Sequence, residues 1–237
     1  MIDIKNIEIN KNYIIDNEKL ISSGLLYVHN KSKTHPRMYP YIINNRNGLG
    51  VIKPDVFNNF FSKTISILEN YIKNQSLILF VGTTLGGKEA IKQLATEFNQ
   101  HYVINRWLGG TLTNFNVIRK QIEYYSLLKE KKEKGNLNDL SKKEAAKWNK
   151  IFNQLEKKFD GLVNLNRLPD LLFIIDPLRH KIAIQEARRL HLPIMAIMDN
   201  NDNPFYIDYP IFANDHNRFG LNILIDNIIK ILKNKND

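Results

Sequence analysis

Four residues separate Gly82 from Gly87-Lys88 in the stretch LILFVGTTLGGKEAI (77–91), the spacing of a phosphate-binding loop. Such a loop wraps backbone N–H groups around phosphate oxygens at a helix N-terminus. It also sets a Lys against the charge and holds Mg²⁺ on a hydroxyl. Here Glu89 stands where the hydroxyl belongs, and a carboxylate there repels a triphosphate unless a metal intervenes. An apolar run ending in Asp176 could supply a metal-ligating acid. One reading is therefore a nucleotide-binding enzyme using Gly82, Gly87, Lys88 and Asp176. The other is a glycine turn that only joins a strand to a helix, a common feature of α/β proteins.

Other chemistry finds less support. Asp199-Asn-Asn-Asp-Asn203 places oxygens at alternate positions like the start of a calcium loop. Pro204 then stands where that loop needs glycine, and Pro210 where it needs a bidentate Glu. The six histidines show no metal-ligand spacing, and no Gly-x-Ser-x-Gly elbow occurs. Without cysteine the chain forms no disulfide, thiolate zinc site or iron–sulfur centre. The stretch with most chemical detail is NRWLGGTLTNF (105–115). Arg106 offers a planar fork for phosphate, and Trp107 a face for stacking or for core packing. Gly109-Gly110 permits close backbone approach, and Thr111 or Thr113 could cap a following helix that carries Arg119 and Lys120.

The net charge favours a polyanion. Thirty-four Lys and Arg against 24 Asp and Glu leave +10 over 237 residues, a field that attracts nucleic acid first and an anionic membrane surface second. No apolar stretch approaches the length of a membrane span. The N-terminal MIDIKNIEINKNYIID contains acids and no arginine, unlike a signal peptide or an import presequence.

The elements that must position these residues alternate. Apolar strands are expected at Leu77–Val81, Tyr102–Ile104, Leu171–Ile175, Ile194–Met198 and about Asp208–Phe212. Helices are expected at Pro54–Ile72, Gly87–Phe98, Arg179–Leu190 and Asn217–Lys233. Strands that are apolar throughout suit a parallel sheet covered on both faces, so the expectation is an α/β, three-layer, doubly wound sheet of about five strands. Residues 113–160 are too long for a crossover helix. Ile118, Ile122, Tyr125 and Leu128 make one apolar stripe, and Trp148, Phe152, Leu155 and Phe159 another. Lys134-Gly135-Asn136 can end the first helix, and Ser141-Lys-Lys-Glu144 is a capping box for a second. The pattern predicts an inserted antiparallel helical hairpin over 113–160, projecting from a globular domain of 1–112 and 161–237. Residues 116–160 hold 12 Lys and Arg against 7 Asp and Glu, half the chain's excess.

With these residues in view, NRWLGGTLTNF resembles the signature of the universal small-subunit ribosomal protein two family, bacterial and organellar type. GLLYVHNKSKTHPRMYPYIINNRNG (24–48), LFVGT (79–83), LPDLLFIID (168–176), IAIQEA (182–187) and LPIMAIMD (192–199) follow in that family's order, and Asn214-Asp215 falls where expected. The resemblance implies a flavodoxin-like sheet with a coiled-coil insertion. It also implies binding of small-subunit ribosomal RNA between head and body beside neighbouring ribosomal proteins, without catalysis, cofactor, membrane or small-molecule substrate. The glycine turn would then be scaffold and the Gly87-Lys88 match accidental. Expected RNA-binding residues are His29, Lys31, Lys33, Arg37 and Arg46 in an N-terminal element of about 20–50. At the hairpin base they are Arg106, Trp107, Asn114, Arg119 and Lys120. Leu25–Val28, Thr84-Leu85 and Ile104 depart from the family's usual residues. Abundant Asn, Ile and Lys, with the basic pair lost at Thr84-Leu85, point towards a mitochondrial ribosome. A plastid ribosome or the bacterial cytoplasm are the alternatives.

Overall fold

The computed structural model describes residues 13–44, 48–134 and 142–233. An N-terminal unit comes first: helix α1 (Asn17–Ser22), strand β1 (Tyr27–Asn30), two 3₁₀ turns (Lys31–Lys33 and Pro36–Tyr41), β2 (Ile42–Asn44) and β3 (Leu49–Ile52). These three short strands form an antiparallel sheet in the order β1-β3-β2. Helix α2 (Pro54–Lys73) follows, entered through Pro54, whose missing N–H costs nothing in the first turn.

Alternation then begins: β4 (Ile78–Val81), α3 (Leu85–Glu97), β5 (His101–Val103), the helices α4 (Phe115–Glu133) and α5 (Lys142–Phe159), β6 (Leu171–Ile175), α6 (Lys181–Arg189), β7 (Ile194–Met198), β8 (Tyr209–Phe212) and α7 (Arg218–Lys233). The second sheet is wholly parallel in the order β5-β4-β6-β7-β8, with Phe80 beside Phe173, Ile174 beside Ala196 and Ile197 beside Ile211. Numbered from β4, this is the flavodoxin-like order 2-1-3-4-5. Every residue of β4, β6, β7 and β8 is buried. Only a sheet covered on both faces does that, which is why these strands are apolar without alternation.

The two stripes of the long insertion pack as apolar faces. Ile118, Ile122, Tyr125 and Leu128 are buried on α4, and Phe152 and Phe159 beyond it. The rings of Tyr125 and Phe152 lie 5.6 Å apart, and Lys132 sits 4.1 Å over Phe152. The Gly135-Asn136 and Ser141 signals lie outside the described residues. Where the chain returns to the sheet, a 3₁₀ turn (Asp160–Leu162) presses on β5, and Asp160 gathers the hydroxyls of Tyr102 and Tyr125 and the Lys129 amine. A Cβ on Gly161 would run into the Tyr102 carbonyl and ring. Gly161→Ala should therefore cost about 1–3 kcal/mol in urea unfolding. Gly109→Ala, where a Cβ meets nothing within 4 Å, should stay within about 0.5 kcal/mol.

Candidate nucleic-acid interface

The stretch 105–113 leaves β5 and passes beside α6. Its conformation is set by one side chain. The carboxylate of Glu186, 5% exposed, accepts from Trp107 Nε1 (3.1 Å), Gly110 N (2.8 Å), Leu112 N (2.9 Å), Thr113 N (3.2 Å) and the Thr113 hydroxyl (3.3 Å). Gly110, at φ +88°, supplies the left-handed step that turns the backbone round the carboxylate. Burial opposes the charge on Glu186. The bonds from Trp107, Leu112, Gly110 and Thr113 together outweigh it, so its pKa lies below the ordinary carboxylate value. Trp107 is thus a buried anchor, 9% exposed. Neither threonine caps α4: the Thr113 hydroxyl goes to Glu186 and that of Thr111 to the Leu108 carbonyl. Asn114 takes the capping position without a side-chain bond, since its carbonyl already accepts from Val117 and Ile118.

Held this way, the loop presents Arg106, Asn114, Arg119 and Lys120 to solvent. Arg119 shares its charge with Glu123, one turn on, at 2.9 Å. Among the described residues no ion pair engages Arg106 or Lys120.

The second group lies on the N-terminal unit. Lys31, Lys33 and Arg37 are exposed in the 3₁₀ turns, which hug the carboxyl end of β7. Asn200 does most of the holding. Its side chain accepts from His29 N (3.1 Å) and donates to the His29 carbonyl (2.8 Å) and the Thr34 hydroxyl (2.7 Å). Its own carbonyl accepts from His35 N (2.8 Å). His29 meets Asp199 at 2.8 Å through Nδ1 and packs edge-on against His216, so its ring has internal partners and is only partly exposed. Further along, Asn214 and Asn217 donate to the carbonyls of Tyr27 and Ser23. Arg46 lies outside the described residues. The two groups stand towards opposite halves of the sheet, since β4 and β6 separate β5 from β7. Three strand spacings put them roughly 14 Å apart or more.

No phosphate cradle forms at Gly82–Glu89. The Thr84 hydroxyl takes the Gly87 N–H at 3.1 Å, and Glu89 makes a two-pronged pair with Arg218 at the start of α7. Between the carboxyl ends of β4 and β6, where this sheet order opens a crevice, His180 bridges the Thr83 hydroxyl (3.1 Å) and the Asp176 carbonyl (2.8 Å). Burial holds His180 towards its neutral form. Asp176, Asp199, Asp202 and Asp215 are all buried at this end of the sheet. Burial first, then the neighbouring carboxylates, pushes Asp202 up to about 7 and Asp215 well above the ordinary value. The nucleotide-binding reading of Gly82, Gly87, Lys88 and Asp176 is thereby corrected: the turn is scaffold. Among the described residues no group of His, Asp and Glu is arranged to hold a metal, and no helix is long and apolar enough to cross a membrane.

The sign of charge is sorted by depth. Among the described residues six carboxyl side chains are buried (Glu69, Asp176, Glu186, Asp199, Asp202, Asp215) and no Lys or Arg is.

Sequence reasoning missed Glu186 and Asn200 as the residues that set both groups in place. Glu186 stood in view within IAIQEA (182–187), but nothing local names partners 73 to 79 positions away. Asn200 sat in view within the rejected calcium-like run. Replacing Glu186 by Gln leaves amide hydrogens facing two backbone donors and should cost about 2–4 kcal/mol. The native carboxylate is more acidic than the unfolded one, near about 4.3. Its contribution is therefore full above that pH and disappears as pH falls through the lower, folded value. Trp107 fluorescence in a Trp148→Phe background should report this loss on acidification, and the Glu186→Gln loop should lack that step.

A family model described as Ribosomal protein S2 matches residues 20–234. The chain is 38% identical over 202 residues to "Small ribosomal subunit protein uS2" of Roseiflexus castenholzii, covering 85% of this chain and 77% of that one. It is 39% identical over 198 residues to the protein of the same description from Lawsonia intracellularis, covering 84% and 68%. To that of Dehalococcoides mccartyi (strain BAV1) it is 34% identical over 198 residues, covering 84% and 81%. These relatives are bacterial proteins. The signature loop folded round Glu186 and the matched span together give one conclusion: the chain belongs to the ribosomal protein S2 family.

Proposed function

We propose that this protein binds small-subunit ribosomal RNA between head and body through two separate groups of exposed cations. As a member of its family it is a structural ribosomal protein and not an enzyme. The observation that carries the RNA-binding reading is the burial of six carboxyls and of no Lys or Arg, which leaves the outer surface more positive than +10 suggests. Lys31, Lys33 and Arg37 form the first group, and Arg46, outside the described residues, is proposed to bind RNA with them. Arg106, Arg119 and Lys120 form the second, where α4 leaves the sheet, with the exposed Asn114 beside them. On this reading residues 113–160 form an antiparallel arm laid along the RNA. His29 and Trp107 serve by holding the two groups, through Asp199 and Glu186. Neighbouring small-subunit proteins are the other partners. The Asn, Ile and Lys bias and the lost basic pair at Thr84-Leu85 favour a mitochondrial ribosome, with plastid and bacterial cytoplasm as the alternatives; cell fractionation followed by gradient sedimentation separates the three.

Phosphate contacts of this kind position without reading sequence. With some six of them, affinity for ribosomal RNA should fall about 10³-fold between about 50 and 200 mM salt. Arg106→Ala and Lys120→Ala should each lower the slope of log affinity against log salt by about one, and together reduce incorporation into subunits. A salt-independent affinity would end this reading. Titration with ATP or GTP and Mg²⁺ should show no saturable binding.

A further inference from the structure

A cavity of about 660 Å³ opens between α6 and the chain that follows β7. Lys181, Arg188 and Arg189 line it from α6, His35 from the N-terminal unit, and Asp202 and Tyr206 from the far side. Its size lies within the roughly 300–1,000 Å³ of small-ligand sites. Beside it four side chains form a ladder of cation–ring and edge-to-face contacts. Arg37 lies 4.6 Å over the Phe205 ring, Phe205 meets Tyr206 edge to face at 5.7 Å, and Arg188 lies 5.1 Å over Tyr206.

These two rings are on the surface because the core position of the turn goes to the next residue. Ile207 is buried, while Phe205 and Tyr206 stay 55% and 45% exposed. The backbone beneath them is fixed: Pro204 starts a 3₁₀ turn and the Asn203 side chain accepts from Phe205 N at 3.1 Å. A rigid pair of exposed rings flanked by guanidiniums is apolar area that a solvated loop has no use for.

Charge selects the occupant. Three fixed cations line the cavity and Arg37 adds a fourth beside it. Against them stands one carboxyl, Asp202, which is buried and whose pKa burial and the nearby carboxylates push up to about 7. An acidic peptide would satisfy the cations without needing flat rings. A duplex would satisfy them too, but it hides its base faces inside the stack. An unpaired RNA strand offers both phosphates and free base faces.

We propose that the Arg37–Phe205–Tyr206–Arg188 ladder and the adjoining cavity form a subsite for an unpaired RNA segment. One or two bases extend the ladder while their phosphates meet Lys181, Arg188 and Arg189. The proposal rests on the RNA-binding reading above and adds that the RNA meeting this face is single-stranded.

The test compares the full chain's affinity for a short single-stranded oligoribonucleotide and for a duplex with the same number of phosphates, by fluorescence anisotropy at one salt concentration. The single strand should bind more tightly. Phe205→Ala with Tyr206→Ala should weaken it about 10- to 100-fold and leave duplex affinity and salt slope unchanged. Phe205→Tyr with Tyr206→Phe should restore it. A 4-thiouridine strand should cross-link to the peptide around residues 203–206 in the unaltered chain, which keeps the test independent of whether the double variant folds. No strand preference, equal losses for both RNAs, cross-linking elsewhere, or displacement of RNA by polyglutamate at lower concentration would each overturn the subsite. Binding of neither RNA would overturn the RNA-binding reading itself.

Discussion

A single buried carboxylate organises the loop that joins β5 to α4. Glu186 collects three backbone N–H groups, an indole and a hydroxyl. Loops seldom bury so many donors, because an unpaired one costs as much as several good contacts return. Concentrating them on one charged acceptor removes that cost and gives the loop one conformation. The direction of Arg106 and the first turn of α4 follow from it. The long insertion therefore inherits its exit angle from a residue on a different helix, and the Gly161–Tyr102 contact fixes its return.

The same economy explains why a sheet of flavodoxin-like order forms no phosphate cradle at Gly82–Glu89. Parallel α/β sheets place ligands at the carboxyl ends of their strands, near the point where strand order reverses. Here that end is spent on structure. His180 fills the crevice between β4 and β6, and Asp199 and Asn200 hold the N-terminal unit over β7. The cost is visible in the raised pKa values of Asp202 and Asp215, which are buried near one another and near Asp176 and Asp199. Repulsion among them weakens as pH falls, opposite in sign to Glu186. Acid therefore loosens the signature loop while relieving strain at the sheet's end.

Legibility in the sequence tracked the range of the interaction. Runs such as Leu171–Ile175 and Ile194–Met198 announce buried parallel strands because burial on both faces removes all alternation. The stripe Ile118, Ile122, Tyr125 and Leu128 is likewise legible, being set by helical period alone. What escaped was long-range or irregular. Strands β1, β2 and β3 are three or four residues each, too short to show a period. Thr111 and Thr113 look like helix caps until Glu186 arrives from another element to claim one of them. The glycine turn at Gly82–Lys88 misled for a related reason: a local spacing fits a phosphate loop, while its meaning depends on Arg218, 129 positions away, taking Glu89.

Charge, finally, is partitioned by depth as well as by total. A carboxylate can be buried if backbone N–H groups or histidine meet it, and this fold has such donors at its loop and strand ends. Among the described residues no Lys or Arg is buried in the same way. Selection for a tight interior thus draws acids inward and leaves bases outside. The surface facing RNA gains positive potential without one added lysine. The six buried carboxyls are not equivalent: the donors round Glu186 hold its charge, while burial and neighbouring carboxylates drive Asp202 and Asp215 towards neutrality, so the fold keeps a buried charge where N–H groups meet it.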